Sequence, residues 1–186
     1  MEGITLRSHF QHTGRLKFLS VPFIFLILAG LFLFSPRSAA ADSVFIPGVY
    51  GEFLPGALTP SQSGVSPDLG WGIGGNEDGF LNDTFFVRFS VSLENYPSPG
   101  IFLVPLTFGP GIRLIKADPG DFYVIGTIGI APVFFPQGGE LLPLYGGGVG
   151  YSFSRFFAEA RVNVFPQSHF LGGSLIEFPL TIGMHL

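Results

Sequence analysis

Between Leu175 and Leu186 (LIEFPLTIGMHL) every second residue is apolar: Ile176, Phe178, Leu180, Ile182, Met184 and Leu186. The residues between them, Glu177, Pro179, Thr181, Gly183 and His185, include no large hydrophobe. Successive side chains of a strand point to opposite faces, so this segment is a strand with one oily and one polar side. An ordinary strand runs to about 5–6 residues. This one has the ~9–11 tilted residues that carry a strand across a bilayer. Similar lettering recurs upstream, where Pro105-Leu106-Thr107-x-Gly109 mirrors Pro179-Leu180-Thr181-x-Gly183.

The composition narrows what can cover the oily side. Only 12% of residues are charged and 16% are aromatic, yet Gly (27) and Pro (16) are abundant, which argues against a helical bundle. Beyond the N-terminal apolar run there is no uninterrupted apolar stretch of about 18 residues, so a polytopic helical membrane protein is excluded. The chain has no cysteine. That rules out disulfides, thiolate metal sites, a cysteine nucleophile and a lipid-modified N-terminal cysteine.

Residues 1–41 have the three-part layout of a secretory signal peptide. Arg7, Arg15 and Lys17 make a basic start, Phe18 to Phe34 is apolar, and Ala39-Ala40-Ala41 offers a cleavage site before Asp42. An uncleaved anchor is the alternative, since the run is near spanning length. Residues 42–186 then form one domain. They carry five Lys/Arg against twelve Asp/Glu, a net charge of −7. With no basic cluster and no phosphate-cradling G-x-x-x-x-G-K-[ST], nucleic acid is not an expected partner.

Eight strands are read in this domain: about 44–53, 69–75, 84–94, 101–114, 122–131, 144–153, 156–165 and 175–186. The third is clear, with Phe85, Val87, Phe89, Val91 and Leu93 opposing Phe86, Arg88, Ser90, Ser92 and Glu94. On the fourth, Phe102, Val104, Leu106, Phe108, Ile112 and Leu114 share the oily face. Only Ser154-Arg155 separates the sixth from the seventh, which makes an antiparallel hairpin. The remaining connections fall at 54–68, 76–83, 95–100, 115–121, 132–143 and 166–174.

One oily face per strand needs an oily surrounding, and the polar faces are rich in glycine, a poor strand surface in water. The pattern fits the lipid-facing band of a transmembrane barrel, which must close because lipid leaves open edges unpaired. The expected fold is therefore all-β: a closed, eight-stranded antiparallel transmembrane β-barrel preceded by a signal peptide. With a periplasmic N-terminus, 54–68, 95–100, 132–143 and 166–174 are the outer loops. Glu52, Arg88, Glu94, Arg113, Glu159, Arg161, Glu177 and His185 face inward. Eight strands leave a lumen that side chains fill, so Arg–carboxylate pairs and no open pore are expected. Glycines on strands two and six make room for Tyr50 and Tyr123. Pro47, Pro105, Pro110 and Pro179 lie inside strands and call for bulges or rim positions.

Val104-Pro-Leu-Thr-Phe-Gly, Gly111-Ile-Arg and Phe122-Tyr-Val-Ile-Gly-Thr-Ile-Gly resemble the central hairpin of the outer-membrane β-barrel domain family. Gly147-Gly-Val-Gly-Tyr151, Phe157-Ala-Glu-Ala-Arg161 and Phe178-Pro-Leu-Thr-Ile-Gly183 resemble its C-terminal half. These are small barrels like the OmpA transmembrane domain or OmpX. The resemblance implies a cell outer-membrane location, insertion by the barrel-assembly machinery, and roles from envelope integrity to adhesion, with an extracellular ligand held by the outer loops. Members usually end in an aromatic residue, whereas this chain ends Met184-His185-Leu186.

Two rival classes are weighed. Lipid A-modifying barrels use Ser with His and an acid near the outer rim, and Ser168-His169 has Glu159 and Glu177 on flanking strands. Adjacency in a loop does not enforce the hydrogen bond that a nucleophile and its base require. A lipocalin-like secreted barrel would turn the oily faces inward and overpack a small interior. The reading is a non-enzymatic envelope or surface-interaction protein with no catalytic residue, metal or cofactor. His185 is read as an interior hydrogen-bonding group.

Overall fold

The computed structural model describes residues 45–58, 69–98, 100–117, 119–169 and 172–186. The expected signal peptide and its cleavage site lie outside them, as does most of the 54–68 loop. The described chain forms eight antiparallel staves: β1 (Phe45–Leu54, resumed at Ala57–Leu58), β2 (Gly70–Phe80), β3 (Phe85–Tyr96), β4 (Ile101–Leu103 and Leu106–Ala117), β5 (Gly120–Phe135), β6 (Gly138–Phe153), β7 (Phe156–Ser168) and β8 (Gly173–Glu177 and Leu180–His185). Each pairs with its sequence neighbours, and β8 returns to β1 from Gly48↔His185 to Phe53↔Leu180. The sheet is closed and has no free edge along that seam. Leu186 N–H donates to Pro47 C=O (2.8 Å), so the chain enters and leaves the barrel at one end. The links from Phe80 to Phe85, from Ala117 to Gly120 and from Phe153 to Phe156 share that end, called here the turn end; the other is the loop end.

Several strands outrun their sequence bounds. The sequence places a turn at 76–83, but β2 continues to Phe80, because Asn76 to Phe80 pair with Phe86 to Ser90. The sequence also places a loop at 132–143. There β5 and β6 instead pair without a break from Gly120↔Phe153 to Phe135↔Gly138, and only Pro136-Gln137 turns the chain. In the last loop, set at 166–174, β7 runs on to Ser168 and β8 begins at Gly173.

The alternation holds around the wall. Phe45, Val49, Trp71, Phe89, Phe108, Ile128, Val149, Val162, Leu180 and Ile182 stand outside, with Ile128 64% and Ile182 72% exposed. A lipocalin-like inversion is not what the chain does. Val104 departs from its expected outward place: it lies in the Val104-Pro105 break of β4 and is buried.

Proline sets the breaks. Pro105 and Pro179 interrupt β4 and β8, and their carbonyls accept from Ser92 N–H (3.1 Å) and Arg161 N–H (2.9 Å). Pro110 stays in register with Val87 on β3, but the ladder to β5 skips from Phe108↔Ile128 to Gly111↔Ile125. Each proline lacks the ladder donor, so pairing is kept on one side and given up on the other.

Candidate functional site

The lumen is filled at two levels. At the loop end lies an apolar plug of Leu54, Tyr96, Ile101, Leu103, Ala131, Val133, Leu142, Leu144, Phe165 and Leu175. The sequence does not announce it: Leu54, Tyr96, Val133 and Leu142 fall in segments that read as loops, and the others sit at the ends of the predicted strands.

Below the plug is an ionic network. Arg88 on β3 reaches Asp78 on β2 with Nε and Nη2 (2.6 and 2.8 Å), and its Nη1 donates to Glu159 on β7 (2.6 Å). Tyr123 O–H donates to the same Glu159 oxygen (2.9 Å). Arg161 Nη2 pairs with Glu52, and its Nε lies 3.1 Å from Glu159 Oε1 without the alignment of a hydrogen bond. Glu159 thus ties both arginines together. Nearer the plug, Tyr96 O–H donates to Glu177 (3.1 Å) and Ser92 O–H to Glu94 (2.8 Å). Burying such charges is costly unless they are paired, and breaking a pair is worse than never having it. The network therefore binds β1, β2, β3 and β7 across the lumen, not merely along the wall.

Four aromatic rings set the level of Arg88. Tyr50, Phe86, Tyr123 and Phe157 each oppose a glycine in register on the next strand: Gly74, Gly111, Gly150 and Gly183. A Cβ on any of those glycines would stand inside the opposing ring. The glycines leave the space that lets the rings lie against the wall. Phe86, Tyr123 and Phe157 then surround the Arg88 guanidinium at 5.4 to 5.6 Å. Cation–π contact adds to the pairing of this buried side chain.

Of the charges the sequence turns inward, Glu52, Arg88, Glu94, Glu159, Arg161 and Glu177 are all in the buried lumen. Arg113 is nearer the turn end, 3.6 Å from Asp121 and half-shielded. His185 is a correction. Its Nδ1 has no hydrogen-bond partner among the described residues, and its ring packs on Phe157 (centroids 5.1 Å). Asp78 is missed because Asn76 to Asp83 reads as a turn.

The rim pair also needs correcting. Glu159 and Glu177 are committed inside the barrel and are not the acids beside Ser168. Glu140 on β6 is: Ser168 O–H donates to it, and His169 backbone N–H donates to its other oxygen (3.1 Å). These bonds bridge β6 and β7 just where their ladder stops, beyond Tyr145↔Val164. Pro143 and Pro166 lie in that stretch, and neither has an N–H to give to a ladder there.

A closed eight-stranded wall, an apolar exterior and an ion-paired, plugged lumen define a small transmembrane β-barrel of the outer-membrane type. No family model and no curated protein matches the sequence. Solved structures match the fold. The neisserial surface protein NspA is 12% identical over 77% of this chain and 99% of its own, with a TM-score of 0.61. The outer membrane enzyme PagL is 11% identical over 74% and 98%, with a TM-score of 0.57. The Yersinia pestis outer membrane protein Ail, in a phospholipid nanodisc, is 12% identical over 77% and 100%, with a TM-score of 0.52.

Proposed function

We propose that this chain is an integral protein of the cell outer membrane that works at its loop-end rim, as an envelope or surface-interaction component and not as a channel. One observation carries the reading: Arg88, locked to Asp78 and Glu159 at mid-lumen, lies beneath an apolar plug, so solute has no path. What remains for a partner is the rim formed by the β5–β6 hairpin and the strand ends at Leu58, Tyr96, Ile101, Ser168 and Gly173. The turn end is periplasmic, because the chain enters and leaves there and its links are short. Insertion falls to the barrel-assembly machinery.

The chain has no cysteine, so single cysteines report topology cleanly. Gln137→Cys in intact cells should react with a membrane-impermeant maleimide, and Ser154→Cys should not. The reverse labelling inverts the orientation, and stepwise conductance in planar bilayers removes the non-channel reading.

A hydrolytic reading has the Ser168–Glu140 contact at the rim in its favour. Against it, the hydroxyl is donated straight to a carboxylate with no imidazole between them, whereas a serine nucleophile needs a base positioned to take its proton. Release of acyl chain from lipid A by purified protein, lost in Ser168→Ala, would establish it.

A further inference from the structure

The turn end of the lumen is neither plugged nor ion-paired shut. It opens as a cup of about 660 Å³. Among the described residues its wall carries Arg113, Arg155, His185, Ser152 and Ser154, with Asp121 and Leu186 beside them. The Arg113 guanidinium is held 4.3 Å over the Phe80 ring. At 3.6 Å its nearest approach to Asp121 is an ion pair too long for a hydrogen bond, so its N–H donors are not consumed there. A guanidinium oriented by stacking keeps its planar fork of donors aimed and ready, which suits an oxyanion. His185 lines the same wall, and its backbone N–H to Arg155 C=O (2.7 Å) fixes it beside the Ser154-Arg155 turn. Ser154 adopts a left-handed backbone (φ 53°) at the cup's lip, a conformation non-glycine residues seldom take.

We propose that this cup is a binding site for a phosphate group, held between Arg113 and Arg155 with Ser152, Ser154 and His185 as further donors. Tetrahedral, multiply charged phosphate matches donors converging from three strands and a turn better than a planar carboxylate does. A phosphorylated solute and a phospholipid head group at the membrane face present the same chemistry. The site itself does not depend on the proposed orientation; the orientation decides only which compartment supplies the ligand.

The test is NMR of the whole barrel in phosphatidylcholine nanodiscs, following the Arg113 Nε–H and His185 ring signals. Inorganic phosphate, added at constant ionic strength against chloride, should shift both saturably. Arg113→Gln or Arg155→Gln should weaken binding about tenfold, as loss of a charge-assisted contact does. Arg155 stands on an exposed turn, so its variant keeps the test open if the Arg113 variant misfolds. Shifts linear in phosphate, or saturable shifts unchanged in both variants, overturn the proposal. If discs carrying phosphatidic acid give the same shifts without added phosphate, the head group is the ligand; if not, it is a soluble phosphate.

Discussion

The ring of Tyr123 fills the space where a side chain at Gly150 would stand, and the two residues face each other in register on β5 and β6. Tyr123 also donates to Glu159 and lies 5.5 Å from the Arg88 guanidinium. One glycine therefore fixes a ring, the ring fixes a carboxylate, and the carboxylate holds two arginines.

Gly150→Ala should accordingly destabilise the barrel by about 1–3 kcal/mol, the usual range for overpacking. Gly126→Ala is the control, because nothing lies within 4 Å of a Cβ at that outward position. Urea unfolding of both variants in detergent checks the contrast. Equal midpoints would refute the close approach.

Arg88→Met removes the partner of both Asp78 and Glu159. The loss should be about 3–5 kcal/mol, because uncompensated buried charges remain. Adding Asp78→Asn to that background should recover part of it. If the double variant is no more stable than Arg88→Met alone, the pair is not a coupled unit.

Ile128→Arg places a charge on the lipid-facing band and should cost about 2–4 kcal/mol in a bilayer if the site is near the midplane. Gln137→Arg on the β5–β6 turn should be close to neutral. Reversible folding into vesicles measures both, and a neutral Ile128 variant would mean that this face does not meet hydrocarbon.

Much of the wall was legible from period-two alternation alone. The outward sets on β1, β3, β5, β7 and β8 are where the letters put them, since lipid on one side and a narrow lumen on the other leave a strand no freedom of face. The ends were not legible. Asn76-Glu77-Asp78-Gly79 has turn composition, yet its backbone is paired on both sides, and Asp78 is needed to pair Arg88. Likewise Pro136 to Pro143 spells a loop, but Gly139 to Leu142 pair with Ala131 to Phe134. Turn propensity is a local preference, and cross-strand pairing in a closed sheet overrides it. Glu140 was hidden for the same reason, since a partner 28 positions away leaves no local signal.

Glu140→Gln should loosen the loop-end seam between β6 and β7, where no ladder bond substitutes for it. Faster amide exchange at Leu141 to Leu144, with exchange at mid-strand unchanged, is the expected reading. Uniform protection across both strands would show that the Ser168 contact carries no mechanical role.

The four ring–glycine contacts at the level of the ionic network join β1 to β2, β3 to β4, β5 to β6 and β7 to β8. Their aromatic members recur about every 35 residues, within the span of periods that mark internal duplication. The hairpin is thus the unit in which the wall is filled, one ring and one glycine to each. A chain carrying a second copy of residues 120–153 should close with ten strands, and the widened bore should pass ions that the present one stops.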